Sequence, residues 1–188
     1  MSAQDPATQA PENGPDNATR WQRRWCGGDG AEYRFRPIRP DDSARELAFI
    51  LGLSEEARYN RMLGMIRTPS ARLIEQFVHV DYQHDMAFVA VSGCDVAERI
   101  VGVARYASTA PETRCEFAVA VTDTCQGHGM GRALMGVLMD YARQAGMREL
   151  YGLVFAHNQR MLALAHALGM SARPCELDPT LVEVSRRL

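Results

Sequence analysis

The chain of 188 residues carries a formal net charge of −2, and 46% of its residues are hydrophobic. This length suits one domain with a sizeable core. The near-neutral charge excludes the strongly basic surface typical of nucleic-acid-binding proteins. All 21 residues counted as Lys or Arg are arginines, so the chain has no lysine side chain that could itself be acetylated.

No zinc site or disulfide framework is expected from the five cysteines, because their number is odd and none forms a CxxC pair. Reduced thiols fit a cytosolic protein better, and the histidines show no spacing typical of metal ligands. No segment approaches the roughly 20 apolar residues of a membrane helix, and no signal-peptide pattern is visible. We therefore expect a cytoplasmic protein that binds no metal, no nucleic acid and no membrane.

Residues 1–30 are predicted to be a disordered N-terminal tail, and residues 31–188 a single domain. The tail is rich in Pro, Asn, Asp, Gln, Gly and Ala and has few large apolar side chains. Such a composition buries too little surface to fold. Trp21 and Trp25, with arginines beside them, are the exception. They predict either a loosely ordered lead-in or a segment that docks on the domain or on a partner.

Hydrophobic periodicity and capping signals predict a mixed sheet with helices on its faces. Ser54 and one of Asp41, Asp42 or Ser43 are expected to cap helices, and Glu46 stands at capping-box distance from Ser43. Strands are expected over 33–38, 86–93, 98–107, 114–121, 149–156 and 181–187. Helices are expected over 40–53, 54–63, 68–80, 127–146 and 158–169.

The stretch QGHGMGR, residues 126–132, lies between a predicted strand and a predicted helix. The first N–H groups of a helix are unpaired and the helix dipole is positive there, so this position suits an anion. Glycines at 127, 129 and 131 keep side chains away from that backbone and permit positive φ. The spacing GxGxG fits neither the dinucleotide fingerprint nor the Walker motif. The loop is therefore predicted to hold a pyrophosphate of some other ligand.

The same loop resembles the acyl-CoA loop, Q/R-x-x-G-x-G/A, of the GCN5-related N-acetyltransferases, the GNAT superfamily, and the resemblance covers about residues 33–188. Within that superfamily, RPIRPDD, LSEEARYNRML, VDYQHDMAFVAV, IVGVARY, CEFAVAV and NQRMLALAHALGM resemble the bacterial Pat-type protein lysine acetyltransferases. The resemblance implies an α/β fold of the α+β kind. Its central sheet would be mixed, mostly antiparallel and splayed, with helices flanking it and acetyl-CoA in the gap.

The resemblance also implies where acetyl-CoA would be held. The pantetheine arm and the acetyl carbonyl would meet the backbone of Val119, Ala120 and Val121. The pyrophosphate would lie on Gln126, Gly127, His128, Gly129, Met130, Gly131 and Arg132. Asn158 would approach the pantetheine, and it is equally well suited to be a helix N-cap.

Glu116 is the predicted general base. It shares one strand face with Ala118 and Ala120, and the small alanines leave space beside its carboxylate. Acetyl transfer needs a neutral amine, whereas only about one lysine in 2,500 is neutral at pH 7. The pattern alone leaves open a strand glutamate paired with Arg105 or Arg114. In Pat-type proteins the glutamate of this strand is the base, so the resemblance favours catalysis.

Two further positions concern the proton balance and the acceptor. Many GNAT members carry a tyrosine as general acid in the later helix, but the matching position here is Ala165. The thiolate would then leave unassisted or through water. Tyr82, His84 and Asp85 lie just before a predicted strand. They are expected either to line the acceptor side or to form a turn with an Asp cap.

Three functions follow from these observations. The first is a protein lysine N-acetyltransferase, with acyl-CoA synthetases as the usual targets of the Pat type. The second is an acetyltransferase for a small amine, because the fold is shared across many acceptors. The third is a non-catalytic acetyl-CoA sensor, which would need the loop but not Glu116. The acceptor, the acyl-chain preference and the oligomeric state, monomer or homodimer, are left open.

Overall fold

The computed structural model describes residues 20–28, 30–64, 68–94, 97–109 and 113–188. In these ranges the strands are β1 Arg23–Cys26, β2 Glu32–Pro37, β3 Asp85–Ser92, β4 Arg99–Thr109, β5 Arg114–Val121, β6 Glu149–Phe155, β7 Ser171–Pro174 and β8 Leu181–Arg187. The α-helices are α1 Ser43–Gly52, α2 Glu55–Arg61, α3 Ala71–Val78, α4 Met130–Gln144 and α5 Gln159–Ala167. Short 3-10 turns lie at Pro40–Asp42 and Asp123–Cys125.

The strands form one sheet in the order β1-β2-β3-β4-β5-β6-β8-β7. Every neighbouring pair is antiparallel except β5 and β6, which run parallel. A parallel pair needs a long crossover, and here α4 lies in the connection between the two strands. The predicted mixed and mostly antiparallel sheet flanked by helices is confirmed.

The structure revises the predicted domain boundary at residue 30. Arg23–Cys26 pairs antiparallel with β2 and is therefore an edge strand of the domain rather than part of a tail. Its four residues show no alternation of apolar and polar side chains from which a strand could be predicted. The short strand β7 was not predicted for the same reason. Residues 1–19 and Asp29, the rest of the predicted tail, lie outside the described residues.

The sheet has a core on each face. Helices α4 and α5 cover one face, whose buried side chains include Phe35, Phe88, Tyr106, Phe117, Leu134, Leu138, Leu150 and Val184. Helices α1 to α3 cover the other, with Ile38, Phe49, Ile50, Leu53, Ile74, Val78, Val89 and Val103. In the described ranges no helix is both long enough and apolar enough to pass through a bilayer.

A buried ion cluster joins β2 to the start of α1. Arg36 donates to both carboxylate oxygens of Asp42, at 2.6 and 2.8 Å, and to Glu98 at 2.5 Å. The Arg36 side chain is 2% exposed and that of Asp42 is fully buried. Asp42 is the N-cap residue of α1, but its carboxylate makes no cap bond to that helix. Glu46 is also buried, and it lies 3.9 Å from Arg105 instead of closing a capping box.

The cluster stabilises the fold in a pH-dependent way. Burial raises the pKa of Asp42, but hydrogen bonds and charge from Arg36 outweigh it, so the pKa lies below the ordinary aspartate value. The same opposing effects hold the pKa of Glu98 below its ordinary value. A depressed pKa adds stability that is complete above the unfolded pKa and is lost as pH falls through the folded pKa. The contribution is therefore complete above about pH 4.5 and declines below it.

Replacing Asp42 tests this cluster. We expect Asp42→Asn to lower the free energy of unfolding at pH 7 by about 3–5 kcal/mol, because Arg36 loses its main buried counter-charge. Asp140→Asn is the matched control, since Asp140 pairs with Arg143 at 2.8 Å but is 58% exposed. The control should cost at most about 0.5 kcal/mol. Urea denaturation at pH 7 and pH 3 measures both. Equal losses, or an Asp42→Asn deficit that does not shrink at pH 3, would contradict the assignment.

Candidate active site

The sheet is open between β5 and β6. The two strands share only three residue pairs, which are Arg114–Glu149, Cys115–Leu150 and Glu116–Tyr151. Beyond them β5 continues to Val121, whereas β6 continues to Phe155 in contact with β8. A wedge-shaped gap therefore separates 117–121 from 152–155, as the predicted splay requires.

Phe117 and Gly152 stand where the strands begin to part. A Cβ added to Gly152 would lie 2.8 Å from the Phe117 ring, so the ring occupies the space that a side chain at 152 would take. The ring is nearly buried in the core beneath α4. The start of the gap is thus filled on that face by an aromatic ring packed on a glycine.

The backbone of β5 turns alternate groups toward this gap. Thr122 N–H donates to Val101 of β4 at 2.9 Å, while the Thr113 carbonyl accepts from Arg148 next to β6 at 2.7 Å. Ladder hydrogen bonds alternate along a strand. The main-chain N–H and C=O groups of even-numbered β5 residues therefore point toward β4, and those of odd-numbered residues point toward β6. The N–H and C=O of Val119 therefore point into the gap.

The three predicted pantetheine contacts are not equivalent. Ala120 is paired with Val103, so its main-chain groups face β4 and cannot serve the gap. Val121 faces the gap, but its carbonyl already accepts from the Gln126 side chain at 2.9 Å. Val119 and the Val121 N–H remain as possible pantetheine contacts, because the alternation of the ladder turns the main-chain groups of Ala120 toward β4.

The glycine loop turns sharply before α4. Gly127 and Gly129 have φ of +80° and +90°, a left-handed conformation that favours glycine. Gly131 has no positive φ, because it already belongs to the first turn of α4, and a Cβ there would meet Leu164 at 3.4 Å. Two of the three glycines are thus needed for the turn itself.

The side chains in and around the glycine loop differ in how far they are exposed to solvent. Met130 is 1% exposed and its side chain lies in the core, so only its backbone can face a ligand. His128 is half-buried, and Arg132 is exposed. Arg160, in the first turn of α5, donates to the Gln126 side chain at 2.9 Å and so stands beside the loop. Arg160 was not predicted from the sequence. The sequence feature that could have indicated it is its position in the first turn of the helix that follows β6.

Asn158 has the capping role that was foreseen for it. Its side-chain oxygen accepts from Met161 N–H at 3.1 Å at the start of α5. The Arg160–Gln126 bond brings this helix start next to the loop that begins α4. Two helix N-termini and two arginines, Arg132 and Arg160, therefore give this end of the gap a positive potential suited to an anion.

Glu116 stands at the last β5–β6 pair, on the sheet face covered by α1 to α3. It is half-buried, and Ala107 and Tyr151 are its partners on the neighbouring strands. Arg105 donates to the Phe77 carbonyl at 2.7 Å and faces Glu46. Arg114 instead reaches Glu149 at 3.4 Å and Glu183 at 2.8 Å. Within the described part of the chain Glu116 has no ion-pair partner. The alternative, a salt bridge from Glu116 to Arg105 or Arg114, is therefore not formed.

Asp85 lies in the same row of the sheet as Glu116. Asp85 pairs with Ala107, which pairs with Glu116. Paired residues share a face, and the strand spacing places the two acidic residues about 10 Å apart. Burial, followed by the charge of Asp81, raises the pKa of Asp85. Asp85 therefore lies on the same sheet face as Glu116, with β4 between them.

The two other predicted acceptor residues lie elsewhere. Tyr82 packs against the core on the opposite face, and its carbonyl accepts from Tyr141 at 2.7 Å. His84 contacts Asp81 at 2.9 Å on the surface. Asp81 also accepts three backbone N–H bonds, from residues 83, 84 and 85, so the turn with an Asp cap is present. Of the three, only Asp85 accompanies Glu116.

An aromatic stack borders the gap on the Glu116 face. The Tyr59 ring of α2 lies 5.1 Å from Phe155, which lies 5.2 Å from His157. Phe155 alternates in phase with Tyr151 along β6, so it points to the same face. Ser54, the N-cap of α2, is bonded through its N–H and hydroxyl to Asp123, at 3.0 Å each. Helix α2 thus spans from the end of β5 to the end of β6.

Two further features of the described residues bear on the chemistry of the candidate site. Ala165 is 2% exposed inside the core, so the position of the usual tyrosine acid contributes no hydroxyl group. The described residues contain no group of three or more His, Cys, Asp or Glu side chains that could hold a metal ion. Glu116 is a carboxylate at the point where the strands separate.

Comparison with known proteins decides the family. Residues 58–170 match the model of the Acetyltransferase (GNAT) family. The chain belongs to this family. It is accordingly an N-acetyltransferase that uses acetyl-CoA.

Relatives of this acetyltransferase agree with the family. It is 41% identical over 154 residues to Acetyltransferase PA5475 of Pseudomonas aeruginosa, covering 82% of this chain and 83% of that protein. It is 30% identical over 141 residues to Acetyltransferase Pat of Mycolicibacterium smegmatis, covering 74% of this chain but 41% of that protein. The crystal structure of the GNAT domain of S. lividans PAT superposes with a TM-score of 0.80 at 25% identity, covering 90% of this chain and 98% of that one.

The glycine loop yields a stability test. We expect Gly129→Ala to lower the free energy of unfolding by about 1–2 kcal/mol, because alanine is strained at positive φ. Gly131→Ala is the matched control and should cost nothing from the backbone, since that residue is helical. Urea denaturation of both variants gives the difference. A loss at Gly131 as large as that at Gly129 would contradict the loop geometry.

Proposed function

We propose that this acetyltransferase transfers the acetyl group of acetyl-CoA to the ε-amine of a protein lysine by direct attack, with Glu116 as general base. The observation that carries the proposal is the position of Glu116. It stands half-buried at the last shared pair of β5 and β6. Its neighbours along the strand on that face are small, Ala118 and Ala120.

The residues around the gap fit acetyl-CoA. A Cβ at Gly127 would meet nothing within 4 Å, so the loop backbone is open to a pyrophosphate. Arg132 and Arg160 would add charge to that anion site. The Val119 N–H and C=O face the gap and are matched to the amides of a pantetheine arm. Asn158 lies at the start of α5, at the same end of the β5–β6 gap as the glycine loop.

The chemistry divides among the chain's own groups. Acetyl-CoA supplies an activated acetyl thioester. Glu116 takes a proton from the amine, directly or through water, which offsets the roughly 4.6 kcal/mol needed to neutralise a lysine at pH 7. The Val119 N–H, which faces the gap, would donate to the acetyl carbonyl oxygen as negative charge develops on it. No tyrosine stands at position 165, so the thiolate leaves unassisted or through water.

Two observations support a protein lysine as acceptor. The chain resembles the Pat type, whose usual targets are acyl-CoA synthetases, and it matches Acetyltransferase Pat and the S. lividans PAT domain. Asp85 places a second acidic side chain in the row of Glu116, toward the exposed end of β3. Acidic groups on the approach favour a cationic acceptor side chain.

A small amine is the second candidate acceptor. The stack of Tyr59, Phe155 and His157 narrows the opening on the Glu116 face. A restricted opening favours a small acceptor over a folded protein surface.

Glu116→Gln tests the catalytic assignment. We expect kcat to fall by about 10²–10⁴-fold, because the amine proton loses its acceptor, while the dissociation constant of acetyl-CoA is unchanged. Thiol release measures turnover, and calorimetry measures binding. Glu176→Gln, in the exposed connection between β7 and β8, is the control and should retain full activity. An unchanged kcat in Glu116→Gln would show that Glu116 is not the general base.

The acceptor is identified with labelled acetyl-CoA. We expect label on a lysine of an acyl-CoA synthetase, detected by intact mass and peptide mapping, and no turnover with a panel of small amines. The chain has no lysine of its own, so acetylation of the enzyme's own lysines cannot add to the label. Thiol release with a small amine alone would favour the second acceptor, and binding without transfer to either class would favour a sensor.

Asp85→Asn tests the approach to the base. We expect the KM for a lysine peptide to rise about threefold to tenfold, since one favourable charge contact is removed. The kcat and the KM for acetyl-CoA should stay near their wild-type values, because Asp85 is a strand away from the β5–β6 gap. The KM increase should diminish at high salt. A fall in kcat with no change in peptide KM would contradict this role.

A further inference from the structure

The hairpin of β1 and β2 touches the glycine loop directly. Gly28, in the connection after β1, donates its N–H to the His128 carbonyl at 3.1 Å. A Cβ at Gly28 would lie 3.4 Å from that same carbonyl oxygen. His128 stands between Gly127 and Gly129, the two residues at positive φ. The contact therefore falls between the two left-handed glycines of the loop.

Trp25 of β1 also lies close to the loop, at Gly129. Its Cζ2 lies 3.7 Å from where a Cβ of Gly129 would stand. The indole is stacked on Phe35 with ring centres 5.4 Å apart, and it lies 5.8 Å from Tyr33. The Tyr33 hydroxyl in turn contacts the sulfur of Cys125, the residue before the loop, at 3.6 Å. Trp25 and Tyr33 thus contact the loop at Gly129 and at the residue before its start.

Such support has a thermodynamic consequence. A glycine-rich segment has many accessible backbone conformations, and ordering it on binding costs free energy. A loop that is ordered before the ligand arrives avoids this cost and binds more tightly. The hairpin supplies the order through one hydrogen bond and one packed ring, neither of which lies in the gap between β5 and β6.

We propose that Trp25, with the β1–β2 hairpin, is a positioning residue that holds the glycine loop ready for the phosphates of acetyl-CoA. The inference rests on the proposed acetyl-CoA site. It gives the N-terminal edge strand a role in cosubstrate affinity, although no residue of that strand belongs to the acyl-CoA loop motif.

The variant Trp25→Ala tests the role through kinetics. We expect the KM and the dissociation constant for acetyl-CoA to rise about tenfold or more. The kcat at saturating acetyl-CoA and the KM for the acceptor should stay within about twofold of wild type, because the reacting groups are untouched. Trp25→Phe keeps a ring in place and should restore most of the affinity. Trp25→Leu keeps an apolar side chain and carries the test if the alanine variant does not fold.

Trp21 provides the matched control. Its ring packs 5.3 Å from Tyr141 and 6.2 Å from Phe88, and Tyr141 lies eleven residues into α4 from its first residue. We expect Trp21→Phe to leave the dissociation constant of acetyl-CoA unchanged. The chain has two tryptophans, so Trp21→Phe also leaves Trp25 as a sole fluorophore beside the loop. Its emission should change on titration with acetyl-CoA, and that of Trp21 in Trp25→Phe should not.

Hydrogen exchange separates a positioning role from general destabilisation. In ligand-free Trp25→Ala the amides of residues 126–131 should exchange faster, while those of β3 and β4 keep their wild-type protection. Wild-type affinity for acetyl-CoA in Trp25→Ala, or faster exchange spread over the whole sheet, overturns the inference and leaves the proposed function standing. If wild-type protein itself fails to bind acetyl-CoA, the proposed function and this inference both fall.

Discussion

The early end of the β5–β6 pairing is the constraint on which the rest of the molecule depends. A continued ladder would have consumed the main-chain groups of Val119 in a neighbouring strand. Because pairing stops after Glu116 and Tyr151, those groups face a gap instead. The Phe117 ring packed on Gly152 fills the core side of the parting. The opening is thus a feature of packing as well as of hydrogen bonding.

The two faces of the splayed sheet have separate surroundings. Phe117, Val119 and Val121 turn their side chains toward α4 and α5, whose N-termini and arginines gather at the loop. Glu116 and its two alanines turn toward α1 to α3. The strand alternation that divides these side chains also divides the proposed tasks, with the cosubstrate phosphates near the helix starts and the acceptor in front of the carboxylate. One strand serves both.

Much of the fold and the centre of the site were readable from local patterns. The strand with Glu116, the glycine loop and the cap at Asn158 each depend on a few adjacent residues. The missed features depend on residues far apart in sequence. Arg160 reaches Gln126 across 34 positions, and Tyr151 meets Glu116 only through strand register. Asp42 and Glu46 were expected to cap a helix, but Asp42 instead binds the buried Arg36 and Glu46 lies 3.9 Å from the partly buried Arg105.

Periodicity, glycine spacing and strand alternation are local properties, so the amino-acid sequence was enough to predict most helices and strands, the family resemblance and the general-base candidate. The folded structure supplied three further facts. It showed that Ala120 faces β4 rather than the gap, that only Asp85 of the acceptor candidates joins Glu116, and that Trp25 belongs to the domain. Each depends on which strand or helix lies alongside, and burial and pairing between distant segments fix that choice only when the whole chain has folded.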